Sequence, residues 1–574
     1  MNALKLGFLV LLFSRSLYGS TESTGKFLLK SANKETSRIG IIGAGPAGID
    51  MARRLDRAGF KNIKILEKND RIGGKSFTLQ VDVGSATVPH DMGTCYMHPK
   101  YENIRELLSE YYRDSNGQAS SLRDTECRND KFYFVEEPYP QNTEDPFLVS
   151  DRRTWQLAAV AKIAYPSLSS FAGSFFYNLQ LLPGLTVGSN IRKYSSMHRE
   201  RFGKDFTRYS FPVPESIPPQ YRQELQLNAI EWLQLHKLDS LAPLLKFAMS
   251  AQGYGLLRTM SAYHMLVWVS ADMLEGILDA VRSENPFMKW FYGIDDDVHP
   301  AKATLVHGFQ DLWERIAQSH GFLNGALELN TSVNKIIRAD DKVLVSAEST
   351  GDGEKINKHY EFDIIFIAAP IKPLIQYNVL DANDKEFGLF DSQHPFILTT
   401  TLFKMNPKTE KEFNLLKRKF NYSLLFKPNL MEPEHSGEVH ALRCPNIELE
   451  QEGQPQLDPS ERWKYQIAYQ FVDGYKASLL DPQDSSKLLY GPENLMVQFH
   501  HWLANQGISD ATVINQFFNL YFYHWEGKDV YKVWDLIQMQ GERNTFFIGA
   551  SAVDFESVLN VVGYNAYLED QFFP

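Results

Sequence analysis

Between Arg38 and Glu67 the chain reads as strand, glycine turn, helix, strand and acid, in that order. Ile39-Gly40-Ile41-Ile42 is a short apolar run suited to a buried parallel strand, and Gly43-Ala44-Gly45-Pro46-Ala47-Gly48 comes directly after it. Ile49, Ala52 and Leu55 then recur at helical spacing until the break at Gly59. A second strand, Ile63-Lys64-Ile65-Leu66, ends in Glu67, nineteen residues past Gly48. Each part has a physical use in holding a dinucleotide. Gly43 allows the tight turn, Gly45 lets backbone approach a pyrophosphate, and Gly48 lets helix and strand pack closely. The helix N-terminus offers N–H groups and a partial positive charge to phosphate. Glu67 is placed to accept hydrogen bonds from a ribose. A bare G-x-G-x-x-G is often only a tight turn. With both strands, the helix and the acid around it, it reads as a dinucleotide-binding unit.

The residues just past Glu67 narrow the cofactor. Arg71-Ile72-Gly73-Gly74-Lys75 puts a second glycine pair close behind the acid, and Asp91-Met92-Gly93-Thr94 comes soon after. This stretch resembles the FAD-binding start of the flavin amine oxidase superfamily. There an R-x-G-G-[RK] element runs beside the pyrophosphate and a D-x-G turn approaches the flavin ring. The resemblance implies FAD contacts from Gly43 through Gly48 (with Ala44, Gly45, Pro46 and Ala47 between), and from Glu67 and Lys68. It extends them to Gly73, Gly74 and Lys75, and to Met92, Gly93 and Thr94.

The same resemblance recurs later in the chain. Val306-His307-Gly308-Phe309 looks like a glycine turn into a helix, and Val333-Asn334-Lys335-Ile336-Ile337 resembles the return strand on which Val333 meets the adenine through its backbone. Phe362 to Pro370 reads as a buried strand ending near the cofactor. Thr545-Phe546-Phe547-Ile548-Gly549-Ala550 is a strand running into a small-residue turn, and Leu559 to Tyr567 supplies a final helix. In the superfamily this turn, here Gly549 and Ala550, and this helix carry the last flavin contacts. A helix N-terminus there favours negative charge on the reduced ring. The expected fold is α/β, or α+β overall. A Rossmann-like FAD-binding domain is built from segments 37–125, 301–372 and 501–574. A substrate domain has a helical part over 126–300 and an antiparallel sheet over 373–500.

At 574 residues two or more domains are expected. A hydrophobic content of 43% with 22% charged residues is ordinary for a globular protein. The net charge of −11 and the lack of a Lys/Arg block argue against nucleic acid as a partner. Lys5 followed by the apolar run Leu6 to Phe13, with Gly19 beyond, has the layout of a secretory signal peptide over residues 1–20. The run is too short to span a bilayer. An uncleaved N-terminal anchor is the alternative. Residues 21–36 read as a linker, and no stable membrane span is expected. Cys95, Cys127 and Cys444 allow one disulfide at most, and no Cys/His spacing suggests a metal site. Asn330-Thr331-Ser332 and Asn421-Tyr422-Ser423 are sequons that matter only in a eukaryotic secretory pathway.

The chemistry implied is removal of hydride from a substrate C–H held against a flavin. A small molecule, lipophilic or an amine, is the expected partner, and oxygen or another acceptor would reoxidise the cofactor. Three departures separate this chain from an ordinary amine oxidase. Gly549 is followed by Ala550 and Ser551 rather than by an acid for the ribityl chain. No cysteine lies beyond Cys444, which implies non-covalent FAD. Where many amine oxidases carry a lysine on a substrate-domain strand, Leu398 to Phe403 places Thr400.

Asp91 to Tyr96, Gly253-Tyr254-Gly255 and Tyr521-Phe522-Tyr523-His524-Trp525 instead look like the branch near polyenoic fatty acid isomerase and β-cyclopiazonate dehydrogenase. That likeness implies greasy, conjugated substrates and, in the isomerase-like case, return of the hydride with no net oxidation. His524 is the candidate acid–base residue, against the plain alternative of a histidine satisfied inside a packed wall. Tyr523 and Trp525 are candidates to line the flavin face. Tyr254, Tyr263, Trp268, His264 and His307 are weaker candidates, since aromatic stripes at helical spacing are usually core. The alternative to an active flavoenzyme is a secreted flavin-fold protein that has lost its chemistry and binds a lipid or partner. Intact pyrophosphate and ribose elements favour the enzyme.

Overall fold

The computed structural model describes most of residues 32–112, 182–275, 303–443 and 463–573, with two short strands at 122–124 and 132–134. The expected leader and most of the expected linker lie outside the described residues. Strand β1 (Arg38–Ile42) leads through the glycine turn into helix α1 (Pro46–Arg57), which returns to β2 (Asn62–Leu66). β1 and β2 pair in parallel, with Ile39 opposite Ile63 and Ile42 opposite Leu66. On its other side β1 pairs in parallel with β3 (Ile364–Ile367), which carries the late strand Thr545–Phe547. Leu327–Glu328 closes the far edge beside β2. Three distant pieces of the chain thus make one five-stranded parallel sheet.

Near-continuous apolar runs suit such a sheet because both faces are covered. Ile39, Ile41, Ile65, Ile365, Phe366 and Ile367 are fully buried. Burying one such side chain contributes about 2 kcal/mol. α1 starts where Pro46 fits the first turn and ends at Gly59, whose φ of +99° stops the helix. Its buried Asp50 pairs with Arg53 at 2.7 Å and Arg54 at 2.9 Å.

A second sheet supplies the other wall. Strand β4 (His394–Met405) runs antiparallel to β6 (Tyr465–Val472), which pairs with β5 (Val439–Arg443). The opposite edge of β4 pairs along its length with β7 (Ala511–His524). This corrects the boundary drawn at residue 501. β7 belongs to the antiparallel sheet, and only the chain after it turns back to the parallel one. The ladder that fourteen-residue β7 makes along β4 outweighs nearness in sequence to the closing strand.

A helical region stands in the chain between the first and second segments of the parallel sheet. It includes residues 182–202, Ala229–Leu235 with a capping box between Asn228 and Glu231, and α2 (Ala262–Trp268). The last helix, α3 (Val558–Phe572), packs on α1, where Asn565 Nδ2 donates to Ala47 O at 2.9 Å and Asp50 Oδ2 at 3.1 Å. Thr331 to Phe362 adds a three-stranded antiparallel meander beside the parallel sheet. Its first strand carries Val333.

Candidate functional site

The two sheets enclose a cavity of about 720 Å³. Its floor is backbone. Gly43 has a φ of +106°, and a Cβ on Gly48 would stand 1.9 Å from the Gly43 carbonyl oxygen. A Cβ on Gly74 would lie 3.0 Å from Gly45 Cα, so the two glycine elements meet edge to edge. A Cβ on Gly93 would fall 1.7 Å from the Lys75 carbonyl oxygen. Gly549, at φ +84°, turns the last parallel strand towards the same space. Each close approach removes a side chain that would otherwise fill the floor. The α1 N-terminus opens onto it with no side-chain cap and no acid in its first turn.

Glu67 is buried in this wall. Its Oε2 accepts from the Ala44 N–H at 2.7 Å, and its Oε1 accepts from the Asn69 N–H at 2.9 Å and Nδ2 at 2.7 Å. A carboxylate has lone pairs beyond these, so Glu67 braces the turn and keeps acceptor capacity towards the cavity. Gly43, Gly45, Pro46, Ala47, Glu67 and Lys68 all line it. So do Gly74, Lys75, Met92, Gly93 and Thr94, and from later segments Val333, Gly549 and Ala550. Ala44, Gly48 and Gly73 lie just behind, shaping the turns. A bare backbone floor, a helix N-terminus and a facing acid fit a dinucleotide cofactor.

The opposite wall is aromatic. Tyr254 stacks with Phe555 at 4.8 Å between ring centroids, meets Trp268 in a tilted contact at 4.5 Å, and has Tyr521 at 5.7 Å. Thr400 lines the cavity and donates to the Met92 carbonyl at 2.6 Å. The cation nearby comes from the next strands over. Arg443, on β5, donates to the Asp91 carbonyl at 2.5 Å and to the Tyr469 hydroxyl at 2.9 Å. Burial pushes the Asp91 carboxyl up to about 6 against the hydrogen bonds from Thr78 and the Phe309 N–H.

Lys75 and Glu556 meet inside this cavity at 2.9 Å. Burial lifts the Glu556 carboxyl to about 7 against the pull of Lys75. Lys75 also donates to the Tyr521 carbonyl.

Of the three residues expected to do chemistry, only Tyr523 reaches the cavity. Burial pushes its phenol up to about 12. His524 and Trp525 stand behind the wall, which corrects their expected placement. The His524 ring stacks on Phe396 at 4.2 Å, and its Nε2 lies 3.0 Å from Glu526. The Trp525 backbone N–H donates to Asp554 at 2.7 Å, and its indole N–H donates to the Leu389 carbonyl at 2.9 Å. Tyr523 lies on β7 with the other lining residues Phe517 to Tyr521, whereas Trp525 lies just past the end of the strand, where the chain turns towards Asp554. His264 is fully buried between Ser261 and Asp554, Tyr263 lies in the core, and His307 is exposed. Sequence reading passed over Glu556 and Arg443. The only local signal was a lone charge at the edge of an apolar run: Glu556 just before Ser557, the cap of α3, and Arg443 closing β5.

Residues 46–381 match the profile of a family described as flavin containing amine oxidoreductase. Over 564 residues the chain is 22% identical to a polyenoic fatty acid isomerase of Ptilota filicina, covering 93% of this chain and 95% of that one. A shorter match joins it to a tryptophan 2-monooxygenase of Pseudomonas savastanoi, 32% identical over 90 residues, 16% of each chain. Among solved structures, a CLA-producing fatty acid isomerase from P. acnes superposes with a TM-score of 0.61 at 20% identity, covering 95% of this chain and 100% of that one. Wild-type putrescine oxidase bound to putrescine superposes with a TM-score of 0.53 at 14% identity, covering 93% and 99%. At these identities the superpositions speak for the fold.

Proposed function

This chain belongs to the flavin-containing amine oxidoreductase family, and from that premise we propose that it is an FAD-dependent oxidoreductase that removes hydride from a C–H of a lipophilic or amine substrate. The observation that carries the reading is the continuity of the cavity. One space runs from the glycine floor and Glu67 to the Tyr254, Trp268 and Tyr523 wall. A flavin bound there supplies the hydride acceptor. The meeting of Gly45 with Gly74 and the α1 N-terminus would take the pyrophosphate, and Glu67 would take the ribose. The absence of cysteine after Cys444 supports non-covalent attachment. The aromatic wall suits an apolar substrate.

A second reading has its own support. Likeness to a fatty acid isomerase over 93% of the chain favours a redox-neutral reaction on a polyunsaturated fatty acid, in which the hydride returns to the substrate. Anaerobic mixing of the flavoprotein with amines, amino acids and polyunsaturated fatty acids separates the two. Lasting bleaching of the visible flavin band supports the oxidoreductase. Growth of conjugated-diene absorbance without lasting bleaching overturns it in favour of the isomerase.

A further inference from the structure

Oxidation of a C–H beside a heteroatom releases a proton as well as a hydride, and a side chain positioned in the cavity can take that proton. Among the described residues the cavity wall contains no histidine, and its carboxylates are Glu67 and Glu556. Glu67 already accepts three hydrogen bonds, from the Ala44 N–H and from the Asn69 N–H and Nδ2, and the capacity it keeps is the one assigned to the ribose. Glu556 has a different setting. Its side chain is 7% exposed, it projects from the turn that leads into α3, and its ion partner is Lys75. Tyr521 on β7 and Tyr254 complete the polar island, with a hydrogen bond between their side chains and Tyr101 beyond. Asp554, two residues away, is turned to His264 and the Trp525 N–H.

Building on the oxidoreductase reading, we propose that Glu556 is the acid–base residue of the cavity and accepts the substrate's exchangeable proton, with Lys75 as its positioning partner. For a primary ammonium substrate the balance is complete. The nitrogen gives one proton to the Glu556 carboxylate, which becomes a carboxylic acid. The adjacent carbon then loses one hydrogen with its bonding pair as hydride, for which the family's flavin is the acceptor, and a C=N bond forms. A carboxyl lifted to about 7 by burial is suited to this work near neutrality. A carboxylate buried among aromatic rings also favours a cationic headgroup on an apolar tail.

Two measurements on the holoenzyme test the assignment, using wild type and the isosteric E556Q. In the first, n-octylamine is mixed anaerobically and flavin bleaching is followed across pH. The wild-type rate rises with pH through the carboxyl's titration, and E556Q loses that limb and falls by about a hundredfold at high pH. Bleaching in E556Q at the wild-type rate with the same limb overturns the assignment and leaves the oxidoreductase reading standing. In the second, n-octyltrimethylammonium, a fixed cation with no proton to give, is titrated against the flavin spectrum. Wild-type affinity tightens about tenfold between about pH 6 and pH 8, as the carboxylate forms, and E556Q affinity stays flat. If octylamine never bleaches the flavin, the oxidoreductase reading loses its amine case and this titration decides Glu556 by itself. Wild-type binding that is indifferent to pH then overturns the assignment.

Discussion

His264 and Asp554 are hydrogen-bonded with no access to solvent: Nε2 lies 2.9 Å from Oδ2, and both side chains are fully buried. The other ring nitrogen, Nδ1, meets the Ser261 hydroxyl at 2.7 Å, and Asp554 Oδ1 accepts from the Trp525 N–H. Asp554 itself sits at φ +58°, a left-handed conformation that an aspartate tolerates when its side chain is held. Three separate pieces of chain, α2, the end of β7 and the turn before α3, are thereby fixed to one another. Phe555 and Glu556 come next in the chain, so the pair sets where the aromatic wall and the cavity carboxylate stand.

Asp554→Ala leaves a buried imidazole and a buried backbone N–H without their partner. Leaving a buried polar group unsatisfied costs about 1–3 kcal/mol, and denaturant unfolding monitored by tryptophan fluorescence reads the loss directly. Asp554→Asn keeps an acceptor for the Trp525 N–H and is expected to lose less. Equal losses in the two variants would show that the charge contributes nothing beyond the hydrogen bonds.

Gly48→Ala is expected to abolish flavin binding. Its Cβ would stand 1.9 Å from the Gly43 oxygen, a backbone atom that cannot move without opening the turn. The readout is the visible flavin band of the purified protein, with folding checked by circular dichroism. Gly388→Ala is the matched control. It lies in the helix Asp384–Phe390 with nothing within 4 Å of an added Cβ, so the change should gain about 1 kcal/mol from helix propensity and keep the flavin band.

The glycine turn and the acid after it were legible because their logic is local. Each glycine's task is set by residues within a few positions, and Glu67 is reached by one helix and one strand. The parallel sheet was legible for a related reason, since Ile364 to Ile367 and Phe546 to Ile548 are apolar without alternation. The edge strand Ala511–His524 was misassigned to the cofactor domain because its partner is chosen by a ladder along β4, across more than a hundred residues of chain. Lys75 and Glu556 are separated by 481 positions, and no periodicity reports a contact at that range. His524 drew attention through its chemical type, yet the face of a strand on which a side chain points is settled by register, and the bulge between Pro395 and Ile397 shifts that register just where it matters.

Lys75→Met should move the titration of the cavity carboxylate rather than remove it. Lys75 holds the Glu556 carboxyl below where burial alone would put it, so removal of the cation raises that point. The pH at which wild-type holoenzyme tightens on n-octyltrimethylammonium is expected to shift upwards by about one unit in the variant, about 1.4 kcal/mol of lost interaction. A downward shift would mean that Lys75 does not act on Glu556 as its positive partner.

Asp91 gives the clearest stability-versus-pH expectation. Its carboxyl is raised from 3.8 to about 6 in the folded protein, chiefly by burial, with Thr78 and the Phe309 N–H pulling the other way. A raised acid binds its proton more tightly when folded than when unfolded. Between about pH 4 and pH 6 the native state therefore holds more proton, and this residue's contribution to stability falls as pH rises through that window and then levels off. Glu556 acts in the same direction over a range that ends near 7. Asp91→Asn keeps an oxygen acceptor for the Thr78 hydroxyl at 2.6 Å and the Phe309 N–H at 3.0 Å, but has nothing to titrate. The stability of Asp91→Asn relative to wild type should therefore improve from about pH 4 to pH 6, by up to roughly 3 kcal/mol. Guanidinium midpoints of the two apo proteins at several pH values measure the difference. A gap that stays constant across the window would place the Asp91 titration at its ordinary value, and would mean that the Arg443 guanidinium compensates the buried charge in full.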